Sequence, residues 1–129
     1  MSQQLLPLAQ LAAAGALGTL ARYGVGRGVE LVANPDFPWA TWVINGSGSL
    51  LFGVLYVLAK ERGVLSDESR VILLIGFMGA FTTFSSLAFE CADLIRAERY
   101  TAAAVHLVGQ NVWGLGLMFS GFALGRSVA

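Results

Sequence analysis

Charge is what this sequence has least of. Only 12% of its 129 residues are Asp, Glu, Lys or Arg, while 56% are hydrophobic. A soluble domain carries roughly twice that charge. None of the four charged types occurs before Arg22, between Asp36 and Lys60, between Arg70 and Glu90, or between Arg99 and Arg126. Those gaps hold 21, 23, 19 and 26 residues, and a helix needs about 20 to cross a bilayer. The expectation is an all-α membrane protein of one domain, 1–129, with four transmembrane helices at about 4–27, 37–59, 71–95 and 101–125.

Other scarcities exclude further classes. A single cysteine, Cys91, cannot form an internal disulfide. The single histidine, His106, has no second His or Cys to join it around zinc. No nucleophile, base and orienting group can be assembled from one His and one Cys, so an enzyme is not expected. The longest polar connection, KERGVLSDESR, leaves no room for a domain outside the membrane. The lipid bilayer is the expected surrounding and no nucleic-acid partner is expected. Met1 to Ala21 lacks the basic leader of a cleaved signal peptide.

Orientation is poorly specified. Lys and Arg normally accumulate on the cytoplasmic side. With four crossings, Lys60, Arg62, Arg70 and Arg126 fall on one side and Arg22, Arg27, Arg96 and Arg99 on the other. An even division suits a chain that inserts both ways and pairs head to tail, as an antiparallel dual-topology homodimer. Such a closed two-fold pair uses the same surface on both copies.

The spans carry more than a lipid anchor requires. Small residues in QLAAAGALGTLARYGVGRG allow close helix approach. Arg22 follows them, placed either to snorkel to the headgroups or to attract anions. In WVINGSGSLLFG, Thr41, Asn45 and Ser49 recur at helical spacing on one face. A buried amide there needs partners or water. In GFMGAFTTFSSLAFE, Gly76, Gly79 and the run from Phe81 to Phe84 are mediocre helix formers, so the third span reads as a helix with a break near 79–83. Freed carbonyls at such a break coordinate cations in other membrane proteins. Gln110 and Asn111 are adjacent amides in the fourth span, and one of them joins the polar face of the second. Neutral donors and phenylalanine ring edges together suit a small anion stripped of water.

GALGTLARYGVGR, ATWVINGSGSLLFG and GFMGAFTTFSSLAFE resemble, in order, the three signature regions of the Fluc (CrcB) fluoride channels. The resemblance implies a fluoride-selective channel that passively exports cytoplasmic fluoride through two pores of an antiparallel homodimer. It implies the bacterial cytoplasmic (inner) membrane, crossed several times. It also implies a structural sodium ion (Na+) held by the backbone carbonyls of Gly79 and Thr82 from both copies. By motif match, Asn45 is the pore asparagine, Phe84 the first pore phenylalanine and Ser85 the serine beside it. Thr41 and Glu90 match polar positions along the route, and Arg22 a position near the pore entrance. Asn111 falls where the family has a fourth-span serine.

Two departures stand out. The family runs Phe-Ser-Thr-Phe where this chain has Phe84-Ser85-Ser86-Leu87, so Leu87 replaces a pore phenylalanine, and Ala80 replaces a glycine of the break. Altered conductance or selectivity is the expectation. Two rival readings explain less. A small multidrug transporter needs a carboxylate within the first span, which is absent here. A packing-only subunit leaves the threonine–phenylalanine cluster without a purpose.

Overall fold

The computed structural model describes residues 2–128, and among them every regular element is a helix. Helix α1 spans Ser2–Glu30. Helix α2 runs over Trp39–Tyr56 and continues with wider turns through Val57–Glu61. Helix α3 starts at Asp67 and ends at Phe81, and α4 covers Phe84–Arg96. Helix α5 spans Tyr100–Ser127. Short loops join them.

Among the described residues, three runs are long and apolar enough to cross a membrane: Trp39–Glu61, Asp67–Arg96 (α3 and α4 taken together) and Tyr100–Ser127. The protein is a membrane protein on this ground. At 29 residues α1 also has the length, and no charged side chain precedes Arg22 in it. The outward surface agrees with lipid. Leu17, Leu20, Phe89, Val108, Val112, Leu115 and Phe119 all lie exposed, where a water-soluble protein of this size would bury most of them.

Where helices meet, side chains are small. Helix α1 packs on α3, and α2 packs most extensively on α5. A Cβ on Gly18 would strike the Phe77 carbonyl oxygen. One on Gly121 would strike the Leu50 carbonyl and come within 3.1 Å of the Gly53 Cα. Without a side chain at these crossings the backbones approach closely, which is how helices gain dispersion contact in lipid. Larger side chains fill the remaining interior. Ile44, Leu74, Met78 and Phe81 form the buried core, with Phe52 and Phe77 packed against it. At one end, Arg126 of α5 grips the Glu61 carboxylate through Nε and Nη2 at 2.8 and 2.6 Å. The Arg62 guanidinium also donates to the Arg126 carbonyl.

Gly121→Val is expected to push α2 and α5 apart and destabilise the fold by about 1–3 kcal/mol, the usual range for overpacking. Thermal unfolding in detergent measures this. Gly116→Ala, with open space around its Cα, is expected not to lower the unfolding temperature.

Candidate functional site

Thr82 and Thr83 separate α3 from α4. Both are extended, with φ −79°, ψ 159° and φ −147°, ψ 116°. Their hydroxyls take over backbone partners. Thr82 Oγ1 donates to the Met78 carbonyl at 3.0 Å, beside the Thr82 N–H on the same oxygen at 3.1 Å. Thr83 Oγ1 accepts the Ser86 N–H at 3.2 Å and so caps α4. The Ser86 N–H would otherwise have served the Thr82 carbonyl, four residues back.

Asn45 supplies what the missing turn does not. Its Oδ1 accepts the Thr83 N–H at 2.8 Å, and its Nδ2 donates to the Thr83 carbonyl at 3.0 Å. The same Nδ2 donates to Gln110 Oε1 at 3.1 Å. One side-chain amide therefore ties α2 to the junction of α3 and α4 and to α5. It also takes the N–H that would have bonded the Gly79 carbonyl. Two carbonyls, Gly79 and Thr82, thus lose their helical donors. Arg22 Nη1 reaches the Thr82 oxygen from α1, at a long 3.5 Å.

Beside this clasp lies a cavity of about 350 Å³, open on one side. Asn45, Ser49, Thr83, Phe84, Leu87 and Gln110 contribute to its wall. Phe84 stands 76% exposed at its rim, while Leu87 is buried. Gln110 is 5% exposed, and its Nε2 is the buried side-chain nitrogen that lacks a partner among the described residues. Stranding such a donor costs about 1–3 kcal/mol. Helix α4 begins at the same wall, and a helix N-terminus favours negative charge.

A second polar cluster sits nearer one end of α2. Thr41 Oγ1 donates to Glu90 Oε1 at 2.6 Å. His106 Nε2 lies 2.9 Å from Glu90 Oε2, and Trp42 Nε1 donates to His106 Nδ1 at 2.8 Å. Thr41 and His106 are buried.

The residues expected from sequence divide between these places. Asn45, Phe84, Leu87 and Asn111 line the cavity, and Thr41 and Glu90 form the second cluster. Asn111 is exposed, with its amide donating to the Leu107 carbonyl of its own helix. Ser85 is exposed beside Thr83 Oγ1 at 3.4 Å. Gly79 and Thr82 flank the end of α3, and Arg22 reaches the latter. The sequence left Gln110 open against Asn111 and counted Thr83 among the buried hydroxyls, while His106 and Trp42 were not expected at a site. A signal for two of them was present, since His106 and Gln110 stand four apart on one face of α5.

The pattern of the family described as CrcB-like protein, Camphor Resistance (CrcB), matches residues 9–122. The chain belongs to the CrcB family. Relatives named fluoride-specific ion channel FluC include that of Nitrosococcus oceani, 48% identical over 121 residues covering 94% of this chain and 97% of the relative. Another, from Solidesulfovibrio magneticus, is 47% identical over 118 residues, 92% of this chain and 94% of the relative. The Thermus thermophilus relative is 42% identical over 118 residues, 92% of each chain. These CrcB relatives are named ion channels, not enzymes.

Because Asn45 accepts the Thr83 N–H, which has no helical acceptor, Asn45→Ala is expected to destabilise the protein by about 1–3 kcal/mol, the cost of a buried donor left unpaired. Thermal unfolding in detergent checks this. Ser47→Ala, which removes a hydroxyl bonded only within its own helix, is the comparison expected to change little.

Proposed function

We propose that the chain is a fluoride-selective channel. It lets cytoplasmic fluoride leave passively through two pores of an antiparallel, dual-topology homodimer in the bacterial inner membrane. Each copy crosses four times, α1 included. The observation that carries this reading is the unpartnered amide nitrogen of Gln110, a residue of a largely apolar, uncharged cavity wall, in a chain whose relatives are named fluoride-specific channels.

The physical argument concerns dehydration. Fluoride is small and holds water strongly, so a route must replace that water with several close donors. A fixed cation would bind it too tightly to release, and ions pass only where binding stays weak enough to leave. Neutral N–H and O–H groups and aromatic ring edges fit this need. Asn45 has spent both amide protons on Thr83 and Gln110. Gln110 is thus the amide with a proton to offer, and Phe84 offers a ring edge at the rim. Leu87 fills its place without an edge, which weakens that stage of the route.

The pairing and the sodium ion belong to the same proposal. The even division of Lys and Arg supports insertion in both directions. The open cavity and exposed Phe84 support a partner copy that closes the wall. The carbonyls of Gly79 and Thr82 suit a hard monovalent cation, and two copies would offer four such oxygens. Bound there, sodium would supply a fixed positive charge that holds the two interrupted helices together.

Reconstituted liposomes are expected to release fluoride and retain chloride. Gln110→Leu is expected to slow fluoride release about tenfold, equivalent to roughly 1.4 kcal/mol, and Leu87→Phe to speed it. Equal chloride and fluoride release would end the reading. For topology, a cysteine at Ser127 in a Cys91→Ser background is expected to react with impermeant reagents from both sides of the membrane in similar amounts.

A further inference from the structure

His106 is fully enclosed, and its two ring nitrogens meet different neighbours. Nδ1 receives the indole N–H of Trp42 at 2.8 Å. An indole N–H only donates, so Nδ1 must present its lone pair. The ring proton then lies on Nε2, directed at Glu90 Oε2 2.9 Å away. The Thr41 hydroxyl donates to the other carboxylate oxygen, Glu90 Oε1, at 2.6 Å. The bonds run in one sense, from Trp42 to His106 to Glu90, with Thr41 donating from the far side.

The indole is itself held in place. Gly109 of α5 leaves room for it, since a Cβ there would come 2.6 Å from Trp42 Cη2. The Phe37 ring packs 6.0 Å from Trp42 and meets His106 edge-on at 5.5 Å.

We propose that Trp42 is a positioning residue that locks His106 as a neutral donor to Glu90. The charge of this cluster then stays constant across the range where histidine ordinarily titrates, roughly pH 5–8. A second ring proton would have to sit on Nδ1, where it would face the indole N–H, donor against donor. The imidazolium therefore forms only if the indole leaves. The groups around the ring are few. Helix α4 presents Glu90 and, next to it in the chain, Cys91, whose Sγ faces the Ala103 carbonyl at 4.0 Å. Helix α2 presents Thr41 and Trp42, and the segment before it Phe37, none of them charged. With the indole gone, Nδ1 is open to a proton and the Glu90 carboxylate stabilises the cation that results. The cluster's net charge then moves from −1 to zero, lowering the repulsion an anion meets there.

The functional half of this inference rests on the fluoride reading, and the structural half does not. The chain has one histidine, so 15N-histidine labelling reports a single ring in lipid. Nuclear magnetic resonance is expected to show a protonated Nε2 and an unprotonated Nδ1 at about pH 6 and about pH 8 alike. Fluoride release from liposomes is expected to be the same at both. Trp42→Phe is expected to give an imidazolium at the lower pH, with release at least about twofold faster there than at the higher. Adding His106→Gln to Trp42→Phe is expected to abolish that difference.

A wild-type ring protonated on Nδ1, or charged at the lower pH, overturns the proposal. So does a Trp42→Phe ring that stays neutral. Gly109→Ala, which displaces the indole from the α5 side, serves if Trp42→Phe does not assemble, with the same expected and opposing results. Should wild type pass no fluoride, the channel reading falls while the ring signal still decides the lock.

Discussion

The structure depends on one side-chain amide standing in for a helical turn. At the junction of α3 and α4, the Thr83 N–H has no helical acceptor, and Asn45 accepts it while also donating to the Thr83 carbonyl at the start of α4. In water such an N–H would find solvent. In a bilayer it would cost several kcal/mol unmet, which is why irregular backbone survives there only when protein or a wet cavity covers it. A shorter amide bonded in two directions at once fixes both the spacing and the rotation of α2 against the interrupted helix. Serine could not do this, having one oxygen and one proton. Aspartate would keep the acceptor for the Thr83 N–H and lose both donors.

From that clasp the polarity of the cavity follows. Asn45 uses its remaining proton on Gln110 Oε1, which turns the Gln110 amide so that its oxygen is spoken for and its nitrogen is not. The satisfied groups hold the architecture. Thr83 divides its own groups on a smaller scale, capping α4 with its hydroxyl while its backbone serves the clasp. The freed carbonyls of Gly79 and Thr82 arise from the same displacement, so the proposed anion route and the proposed cation site share one cause.

Much of this was legible in the sequence because lipid leaves a coarse signature. Charge-free gaps of helical length marked the membrane spans, and the motif around Asn45 and Phe84 marked the family. Asn45 was legible as a buried amide in need of partners. Its partners were not, because Thr83 and Gln110 lie 38 and 65 residues away and helical period relates only neighbours on one helix. The choice between Gln110 and Asn111 turns on the rotation of α5, which its near-uniform apolarity does not reveal. His106 looked isolated because its partners, Trp42 and Glu90, come from two other helices.

Polar contacts also decide how α2 sits among its neighbours. Hydrophobic burial cannot choose a register here, since lipid tails are as apolar as leucine. Thr41, Trp42 and Asn45 lie within a turn and a half of one another, and each has its own partner: Glu90, His106 and Thr83. Rotating or sliding α2 by one residue would break all three together, depriving a carboxylate, an imidazole and a backbone N–H of a partner in one step. Small residues such as Gly53 and Gly121 let α2 and α5 approach closely but would tolerate several alignments. The hydrogen bonds remove that freedom, so close packing supplies the attraction and the three polar partners supply the register.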